Sequence, residues 1–432
     1  PEIFSSHNRS FLNIGIRNNN NFELRFMGLD HKKKFNNNRS GDSVSVNLQN
    51  LIAKMIHFHP KNGSISLFTI AQIYNGQDFT QVVSNKKNDR NIGLGFEFEK
   101  DIEEAAFRFS AESSITNADW ETNNSPVYIQ RQSSSLTASL ELFRPESEKN
   151  TQLKDVKIIF NKNIISDVPD TSLGMYMPHN NWRLTNSLFT ASLLNRRQGK
   201  NVLLYLNIGN VFRIPTLSET ITNHNQTLIN LSNDLEPENK STYEFGMKVK
   251  NDSVDNKRNY LLTISGFRYH YTDKIKQFQI SGTPVKVPFN VGEAIISGFD
   301  SKLVLKPNTK WFSYSSSLSF YYFSDPMAFQ LQPEKIIRNI ISINNKWFNL
   351  ELIHRSESAR QITTIKSSGA IKPNYLESIS NYDIHLSSNL KYKWMNTIFS
   401  ISVKNINENA QELEGVSIYD RRYLASMKVS IN

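Results

Sequence analysis

The chain has 432 residues, of which 38% are hydrophobic, 11% aromatic and 21% charged, and its formal net charge is +10. It contains no cysteine, which excludes disulfide scaffolds, thiolate metal sites and cysteine nucleophiles. No apolar run approaches the roughly 18 residues that a membrane-spanning helix needs. The sequence therefore excludes a helical membrane protein and leaves open a membrane β-barrel, whose strands are only half apolar.

The first residues, PEIFSSHNRS, have neither the charged nor the apolar region of a signal peptide. The basic residues that follow are scattered, apart from HKKKFNNNR at 31–39, which we interpret as a solvated loop. Because no helix or RNA-binding motif presents these charges, we predict no nucleic-acid partner.

Apolar and polar residues alternate with a period of two along most of the chain, which predicts strands with one apolar and one polar face. The clearest runs, in chain order, are SLTASLELF (135–143), STYEFGMKVK (241–250), WFSYSSSLSFYY (311–322), NYDIHLSSNLKY (381–392) and NTIFSISVKN (396–405). These runs last about 9 to 12 residues, whereas strands of soluble proteins are mostly about 5 or 6. A tilted strand needs about that longer length to cross a bilayer. Aromatic residues near the run ends, such as Trp311 and Tyr322, fit the girdles of a membrane barrel.

Short polar turns alternate with longer loops, as in a barrel with short periplasmic turns and long extracellular loops. The predicted turns are 18–21, 59–64, 145–150, 198–201, 252–258, 307–310, 344–346 and 391–396. The predicted loops are 30–45, 76–90, 113–130, 161–184, 213–240, 273–289, 323–335, 355–379 and 406–420. We count about nineteen strands and no convincing helix. The prediction is an all-β chain with one domain over 1–432, a transmembrane antiparallel β-barrel.

The sequence carries no recognisable catalytic motif: it lacks G-x-S-x-G, H-E-x-x-H and a glycine-rich phosphate loop. Its nine histidines are dispersed, without metal-ligand spacing. We therefore expect no enzyme activity, no cofactor and no metal site.

The stretch NVFRIPTLSET, residues 210–220, ends a strand abruptly and contains Phe212, Arg213, Pro215 and Glu219. It resembles the F-R-x-P-[ST]-L-x-E segment of TonB-dependent outer-membrane receptors. Carboxylates on either side of the loop, including Glu219, could hold Arg213 at the rim. We interpret these residues as structural.

Three later stretches resemble the same family in the family's order. Residues 233–249, NDLEPENKSTYEFGMKV, are similar to its N-P-x-L-x-P-E-x-S-x-x-Y-E-x-G element, with Asn233 in place of proline and Lys240 in place of serine. The stretch 289–300, FNVGEAIISGFD, is similar to the N-x-G-x-A-x-I-x-G-x-E strand, and 403–432 resembles the closing pair of strands. The matching residues to which we assign a structural role are Pro237, Glu238, Tyr243, Glu244, Gly246, Gly292, Gly298 and Arg421.

The resemblance covers 210–432 and implies the 22-stranded type of barrel in the outer membrane of a Gram-negative bacterium. It implies an active transporter or receptor for a scarce, bulky nutrient: a ferric siderophore, haem, cobalamin or a glycan. Its partners would be outer-membrane lipid, a small-molecule or oligosaccharide ligand at the extracellular face, and the TonB system acting through a plug domain. A passive outer-membrane porin is the alternative, and a secreted soluble β-enzyme is a third possibility.

Strand alternation and loop position suggest five ligand-binding candidates near the barrel mouth: Trp182, Arg213, Arg268, His270 and Arg355. The net charge favours an anionic ligand.

Strand parity gives an expectation about completeness. The first and last predicted strands, 11–16 and 423–431, both run toward the periplasm, which makes the count odd. Bacterial single-chain barrels have an even number of strands, and the plugged transporters have about 22. We therefore expect about three further strands and a plug domain upstream, with an unclosed wall between these two strands. The rival expectation is an odd barrel closed by parallel first and last strands.

Overall fold

The computed structural model describes residues 3–18, 21–37, 42–59, 63–79, 84–102, 104–122, 125–143, 151–170, 179–197, 200–224, 235–251, 258–280, 286–307, 311–365, 371–392, 394–408, 411–413, 416–418 and 421–431. Within them, one sheet of 19 strands forms the wall of the barrel. The sequence prediction of about nineteen strands in an all-β architecture is confirmed.

The wall strands follow one another along the chain. They are β1 Ile3–Asn18, β2 Phe22–Asn37, β3 Asp42–His59, β4 Gly63–Phe79, β5 Ser84–Ile102, β6 Ala105–Thr122, β7 Ser125–Phe143, β8 Thr151–Pro169, β9 Asn181–Arg197, β10 Lys200–Arg213, β11 Glu238–Asn251, β12 Arg258–Thr272, β15 Ala294–Pro307, β16 Phe312–Phe323, β17 Lys335–Asn344, β18 Asn349–Glu357, β21 Ile379–Tyr392, β22 Met395–Lys404 and β25 Arg422–Ile431.

Smaller elements lie in the connections at the end of the wall that carries the long loops. They are helix α1 Leu217–His224, strands β13 Lys274–Ile280, β14 Lys286–Val291, β19 Arg360–Ile365, β20 Ile371–Leu376, β23 Gln411–Leu413 and β24 Val416–Ile418, and a 3₁₀ helix Pro326–Phe329. Strands β13, β14, β19 and β20 form a separate four-stranded sheet, because β13 pairs in parallel with β19 from another loop. None of the described helices has the length and apolar character needed to span a membrane.

Each wall strand pairs antiparallel with its neighbours along the chain, from β1 to β25. No pairing joins β1 to β25 among the described residues, so the described wall is open between them. The structure thus differs from the rival arrangement, in which parallel first and last strands would close the barrel. Further strands and a plug upstream stay a prediction.

The alternation assigns the two faces of the wall. Phe245, Phe399 and Ile401 are 58%, 43% and 58% exposed on the outer face, while serines such as Ser400 and Ser402 alternate with them toward the lumen. A soluble protein would bury such side chains in a core, whereas lipid covers them on a membrane barrel. Leu136 and Leu140 are also exposed on this face, at 46% and 39%.

Three of the predicted long loops are wrong, because strands extend through them. Residues 30–45, 76–90 and 113–130 are mostly strand, and β2 to β9 are 16 to 19 residues long. The predicted loop 161–184 is also too long, because β8 extends to Pro169 and β9 begins at Asn181. Most of the basic stretch at 31–39 lies in β2, where His31 to Asn37 pair with both β1 and β3. The alternation is lost there because a hairpin rising above the apolar band meets polar surroundings on both faces.

The prediction that the chain has no helix is also wrong, since α1 begins within the motif at 210–220. The helix is short and polar, and its apolar side consists of Leu217 and Ile221. Such a pattern is too brief to give a periodic signal.

Candidate functional site

The loop between β10 and β11 folds back into the lumen, and its entry is held by the Arg213 side chain. Arg213 Nη2 donates a 2.5 Å hydrogen bond to Oε1 of Glu219, whose side chain is nearly buried. The second carboxylate oxygen of Glu219 accepts from the backbone N–H and the hydroxyl of Thr216, at 2.9 and 3.1 Å. Thr216 Oγ1 in turn accepts from the Glu219 N–H at 3.2 Å. This reciprocal pair is a capping box, which starts α1 at Leu217.

Helix α1 packs against the inner side of β6 and β7. Ile221, only 1% exposed, packs in a cluster with Ala118, Trp120, Val127 and Ile129. The docked position is reinforced by Arg131, which donates from Nη1 to the carbonyl of Pro215 at 2.7 Å. Arg131 is itself fixed by a bidentate pair with the buried Asp167, at 2.6 and 2.7 Å. The sequence motif at 210–220 therefore encodes a loop anchored inside the barrel.

A second anchor holds the hairpin of β13 and β14 at the start of β11. Oε2 of the buried Glu238 accepts a 3.0 Å hydrogen bond from the Ile275 N–H. Its other oxygen lies 3.5 Å from Lys274 Nζ. Burial lowers the pKa of Lys274. Burial, assisted by the charge of Lys274, lowers the pKa of Lys276 to about 8.

Aromatic side chains line the lumen beside this anchor. Phe267, Tyr269 and Tyr271 point inward from β12 and pack against a cluster that includes Phe323 and Phe329. Lys240 Nζ lies 3.9 Å from the centre of the Tyr269 ring, and Lys274 Nζ lies 4.0 Å from that of Tyr271. Aromatic faces stabilise cations at such distances. These contacts keep both ammonium groups on the wall.

The part of the wall formed by β16 to β25 contains a polar cavity of about 700 Å³. We call it the basic cavity. Its lining residues are Ser317, Ile336, Arg338, Ile353, Arg355, Asn381, Asp383, His385, Lys404, Asn405 and Arg422. Four of these are permanent cations and one is a carboxylate.

The cations of the basic cavity stand in two directly opposed pairs. Arg338 on β17 faces Arg355 on β18, and Lys404 on β22 faces Arg422 on β25. Directly opposed like charges destabilise a sheet. Arg355 is bound to Glu357, whereas no described carboxylate lies within ion-pair distance of Arg338. An anionic ligand bridging such pairs would offset their repulsion.

The one carboxylate of the cavity has a structural contact. Asp383 Oδ1 accepts a 2.9 Å hydrogen bond from the backbone N–H of Asn405, where β22 ends. His385 Nδ1 lies 2.7 Å from the Ser402 hydroxyl on the neighbouring strand. Both side chains therefore shape the cavity floor. No group of three or more His, Asp or Glu residues in the described part of the chain could hold a metal ion.

The five ligand candidates from the sequence lie in four different places. Arg355 lines the basic cavity, Arg213 anchors the loop, and Trp182 is 9% exposed with the Arg131 guanidinium 5.8 Å from its ring centre. Arg268 and His270 pair with Tyr243 and Ser241. These two candidates therefore lie on the outer face, and their expected position in the mouth is wrong. The stretch RYHYT does not alternate between apolar and polar residues, so it does not itself indicate a face. Counting in steps of two from Leu262 and Ile264, which are on the outer face, would have placed Arg268 and His270 there.

The remaining motif residues serve the wall and its loops. Gly246 gives room to the Tyr205 ring, since a Cβ there would lie 2.2 Å from ring atom Cζ. A Cβ at Gly298 would similarly lie 2.5 Å from the Phe267 ring, and Glu244 accepts a hydrogen bond from the Tyr205 hydroxyl at 3.2 Å.

The other motif residues lie at strand ends and in connections. The backbone N–H of Phe212 donates to Asn186 at 2.7 Å, and Arg421 donates to the Ile406 carbonyl at 2.7 Å. Tyr243 is exposed on the outer face, Pro215 is buried, and Pro237 and Gly292 lie in connections beside the wall strands.

Sequence reasoning missed Arg338, Lys404 and Arg422 as site residues. Arg338 lies in KIIRNIISIN, where isoleucines occupy both faces, so alternation gives no phase. Lys404 and Arg422 lie at strand ends, separated by the loop of β23 and β24. Only strand pairing brings these side chains together.

Comparison with known proteins agrees with this architecture. Residues 179–405 match the sequence profile of the family described as TonB dependent receptor-like, beta-barrel. No curated protein matches the sequence. Among solved structures, the copper transporter OprC aligns with a TM-score of 0.75 at 11% identity, over 98% of this chain and 71% of that one.

Two iron transporters align similarly. The ferric citrate transporter FecA in its unliganded form has a TM-score of 0.69 at 10% identity, over 99% of this chain and 71% of its own. The FrpB iron transporter from Neisseria meningitidis has a TM-score of 0.70 at 9% identity, over 99% and 72%. At these identities the likeness shows the fold. The family match spans more than half of the sequence, and the chain therefore belongs to the TonB-dependent receptor-like β-barrels of the Gram-negative outer membrane.

Proposed function

We propose that this barrel takes up a scarce, bulky and anionic nutrient, of the kind represented by a ferric siderophore, by TonB-energised transport. The observation that carries the proposal is the basic cavity, with two opposed cation pairs against one carboxylate. Arg338 and Arg355 would bind carboxylate, catecholate or phosphate oxygens, because a guanidinium donates to planar anions in a bidentate geometry. No bond of the nutrient is made or broken.

The anchored loops support this assignment to the extracellular mouth. Helix α1 and the four-stranded sheet of β13, β14, β19 and β20 occupy the same end of the wall as the basic cavity. A bulky ligand at the basic cavity could contact side chains of several strands at once. An energised step also requires a plug for the TonB complex to pull, and none of the described residues forms one.

Ligand binding tests the proposal directly. The complete protein in detergent is titrated with ferric siderophores of different net charge, haem, cobalamin and an oligosaccharide, with tryptophan fluorescence as the readout. We expect binding of an anionic member of this panel. The variant R338Q should weaken that binding about tenfold or more, since a hydrogen bond to a charged group contributes about 1.5 to 3 kcal/mol.

Lys162→Gln is the matched control, because Lys162 is an exposed cation on the outer face of β8. Binding of neutral ligands only, or equal losses in R338Q and K162Q, would contradict the anionic assignment. The rate of nutrient uptake by whole cells distinguishes energised transport from a passive porin. Energised transport stops when a protonophore collapses the inner-membrane gradient, whereas a passive channel keeps its rate.

A further inference from the structure

The hairpin of β13 and β14 carries a lysine that neither the loop anchor nor the basic cavity uses. Lys276 is the third residue of β13, and its side chain is half-buried. Two residues earlier, Lys274 lies beside the carboxylate of Glu238, with 3.5 Å between Nζ and Oε1. Lys276 has no such contact, because none of the described carboxylates lies within 4 Å of its amino group. The hairpin therefore contains an amine that lacks an acidic partner.

Strand register places Lys276 on an apolar face of the hairpin. It pairs with Phe289 on β14, and the next pair on the same face is Phe278 with Val287. Phe278 and Val287 are 0% and 2% exposed, and the rings of Phe278 and Phe289 stack with their centres 4.2 Å apart. An ammonium group beside these side chains loses much of its hydration, which favours the neutral amine.

The charges around this amine are unbalanced. Lys240, Lys274 and Lys276 interact with a single carboxylate, that of Glu238. The oxygens of Glu238 are already used by the Ile275 N–H and by Lys274. Three ammonium groups against one carboxylate leave an excess of two positive charges. A negative group on the third lysine would remove this excess.

The amine is also available as a nucleophile near neutral pH. Burial, together with the charge of Lys274, lowers the pKa of Lys276 to about 8, and Glu238 opposes this shift. At about pH 7.4, roughly one fifth of such a side chain is neutral, compared with about one in a thousand for an ordinary lysine of pKa about 10.4. Desolvation beside another cation is a known way to activate a lysine amine.

We propose that Lys276 is a modification site at which carbon dioxide adds reversibly to form a lysine carbamate. The nitrogen lone pair attacks the carbon of carbon dioxide and forms the N–C bond. One C=O π bond becomes a negatively charged oxygen, and the nitrogen releases a proton to water. No oxidant or reductant is needed, because carbon and nitrogen keep their oxidation states.

The charge of the product distinguishes carbon dioxide from other partners of an amine. An aldehyde would give an imine, which is neutral or positive and leaves the cation excess in place. The carbamate is an anion beside Lys274, and it brings the cluster of three lysines and Glu238 to zero net charge. Carbon dioxide is itself small and uncharged, so it can approach the apolar face of the hairpin. This site is separate from the basic cavity and does not depend on the nutrient.

Chemical trapping on the complete protein tests the site. The protein in detergent is equilibrated with isotope-labelled bicarbonate at about pH 8, and triethyloxonium converts carbamates into stable ethyl esters. Peptide mass spectrometry then locates the label. Lys248 on β11 and Lys302 on β15 are exposed lysines of the wall and serve as internal controls. We expect at least about tenfold more label on Lys276, given its larger neutral fraction.

The pH profile and a neighbouring variant sharpen the test. At constant total inorganic carbon, the yield at Lys276 should reach half of its maximum near about pH 8, whereas an ordinary lysine does so near about pH 10.4. The variant K274M removes the cation beside the carbamate and should lower the yield severalfold, while K274R should retain it. Only protein with the heat-dependent gel mobility of a folded barrel is compared.

Thermal unfolding gives a second measurement that does not rely on trapping. Bicarbonate should raise the unfolding temperature of the unmodified protein at about pH 8, because the carbamate balances the charge of the docked hairpin. The variant K276R keeps a positive charge but has no reactive amine, so bicarbonate should not stabilise it more than chloride at equal ionic strength.

Three results would overturn the proposal. The first is a label on Lys276 no stronger than that on Lys248 and Lys302, and the second is a full yield in K274M. The third is equal stabilisation of K276R by bicarbonate, which would show that the anion binds without forming a bond.

Discussion

Arg213 and Glu219, six residues apart, form a 2.5 Å hydrogen bond that ties the end of a wall strand to the first turn of a helix inside the barrel. The carboxylate also completes the capping box with Thr216. One side chain thus serves both the wall and the loop. The F-R-x-P-T-L-x-E pattern consequently has a mechanical meaning: it turns the chain inward and starts α1.

Loss of the cap should release α1. The variant T216A removes both hydroxyl contacts and should destabilise the helix by about 1 kcal/mol, as N-cap removal does elsewhere. Amide hydrogen exchange within α1 should then be about fivefold faster. The control is Ser218→Ala, because Ser218 is two residues after Thr216 and does not belong to the capping box. Equal exchange in both variants would show that the cap does not hold the helix.

The buried pair of Arg131 and Asp167 should be the costliest polar contact to break. Asp167 has no exposed side-chain surface and accepts hydrogen bonds from two guanidinium nitrogens of Arg131, Nε and Nη2. The variant D167N leaves a buried charge without its partner and should cost about 3 to 5 kcal/mol in unfolding by urea. The double variant R131M/D167L should recover much of this loss. A D167N cost below about 0.5 kcal/mol, the size typical of surface changes, would refute the assignment.

The docked hairpin of β13 and β14 should become more stable at alkaline pH. Lys276 has a pKa lowered to about 8 by burial, so the undocked hairpin binds more protons between that value and the ordinary lysine range. Stability therefore rises with pH across this window, and below about pH 8 the cost of burying the charge is fully present. Thermal unfolding of the K276M variant should start at a higher temperature at pH 7 and show a smaller slope, with the remaining slope due to Lys274, whose pKa burial also lowers. A slope as steep in K276M as in the unmodified protein would contradict the role of Lys276.

Charge on the outer face should be far more harmful than charge in the lumen. Ile401→Arg places a cation on the lipid side and should cost about 2 to 4 kcal/mol near the bilayer centre. Its neighbour Ser400 faces the lumen, so S400R should cost little. The measurement is the urea midpoint of unfolding from lipid vesicles. Similar midpoints for the two variants would contradict the face assignment.

The two rims should differ in access from outside the cell. Glu293 lies at the long-loop end and is highly exposed, while Lys346 lies in the short turn between β17 and β18. A cysteine at Glu293 should react with a membrane-impermeant maleimide on whole cells, and one at Lys346 should react only after lysis. The reverse pattern would invert the topology.

The sequence by itself determined the strand faces and the class of fold. Alternation in stretches such as 381–392 and 396–405 is a property of neighbouring residues, because successive strand side chains project to opposite sides. The resemblance over 210–432 predicted the family that the comparison confirms. The start of α1 could also have been predicted from the sequence, since Thr216 and Glu219 have capping-box spacing. Its apolar side is too short to give a helical pattern.

Only the tertiary structure decided which side chains share a site. The basic cavity combines Arg338, Arg355, Lys404 and Arg422 from four strands, and neither their registers nor their faces can be read where isoleucines or aromatics occupy both sides. For the same reason, the sequence did not show that Arg268 and His270 lie on the outer face. The upper halves of β2 to β9 were not predicted as strands, because polar surroundings on both faces remove the alternation. Strand pairing resolves these cases because a one-residue shift of register exchanges the lumen and lipid faces. The apolar residues in the membrane-spanning part of each strand therefore determine which face of the wall the polar residues at its end occupy.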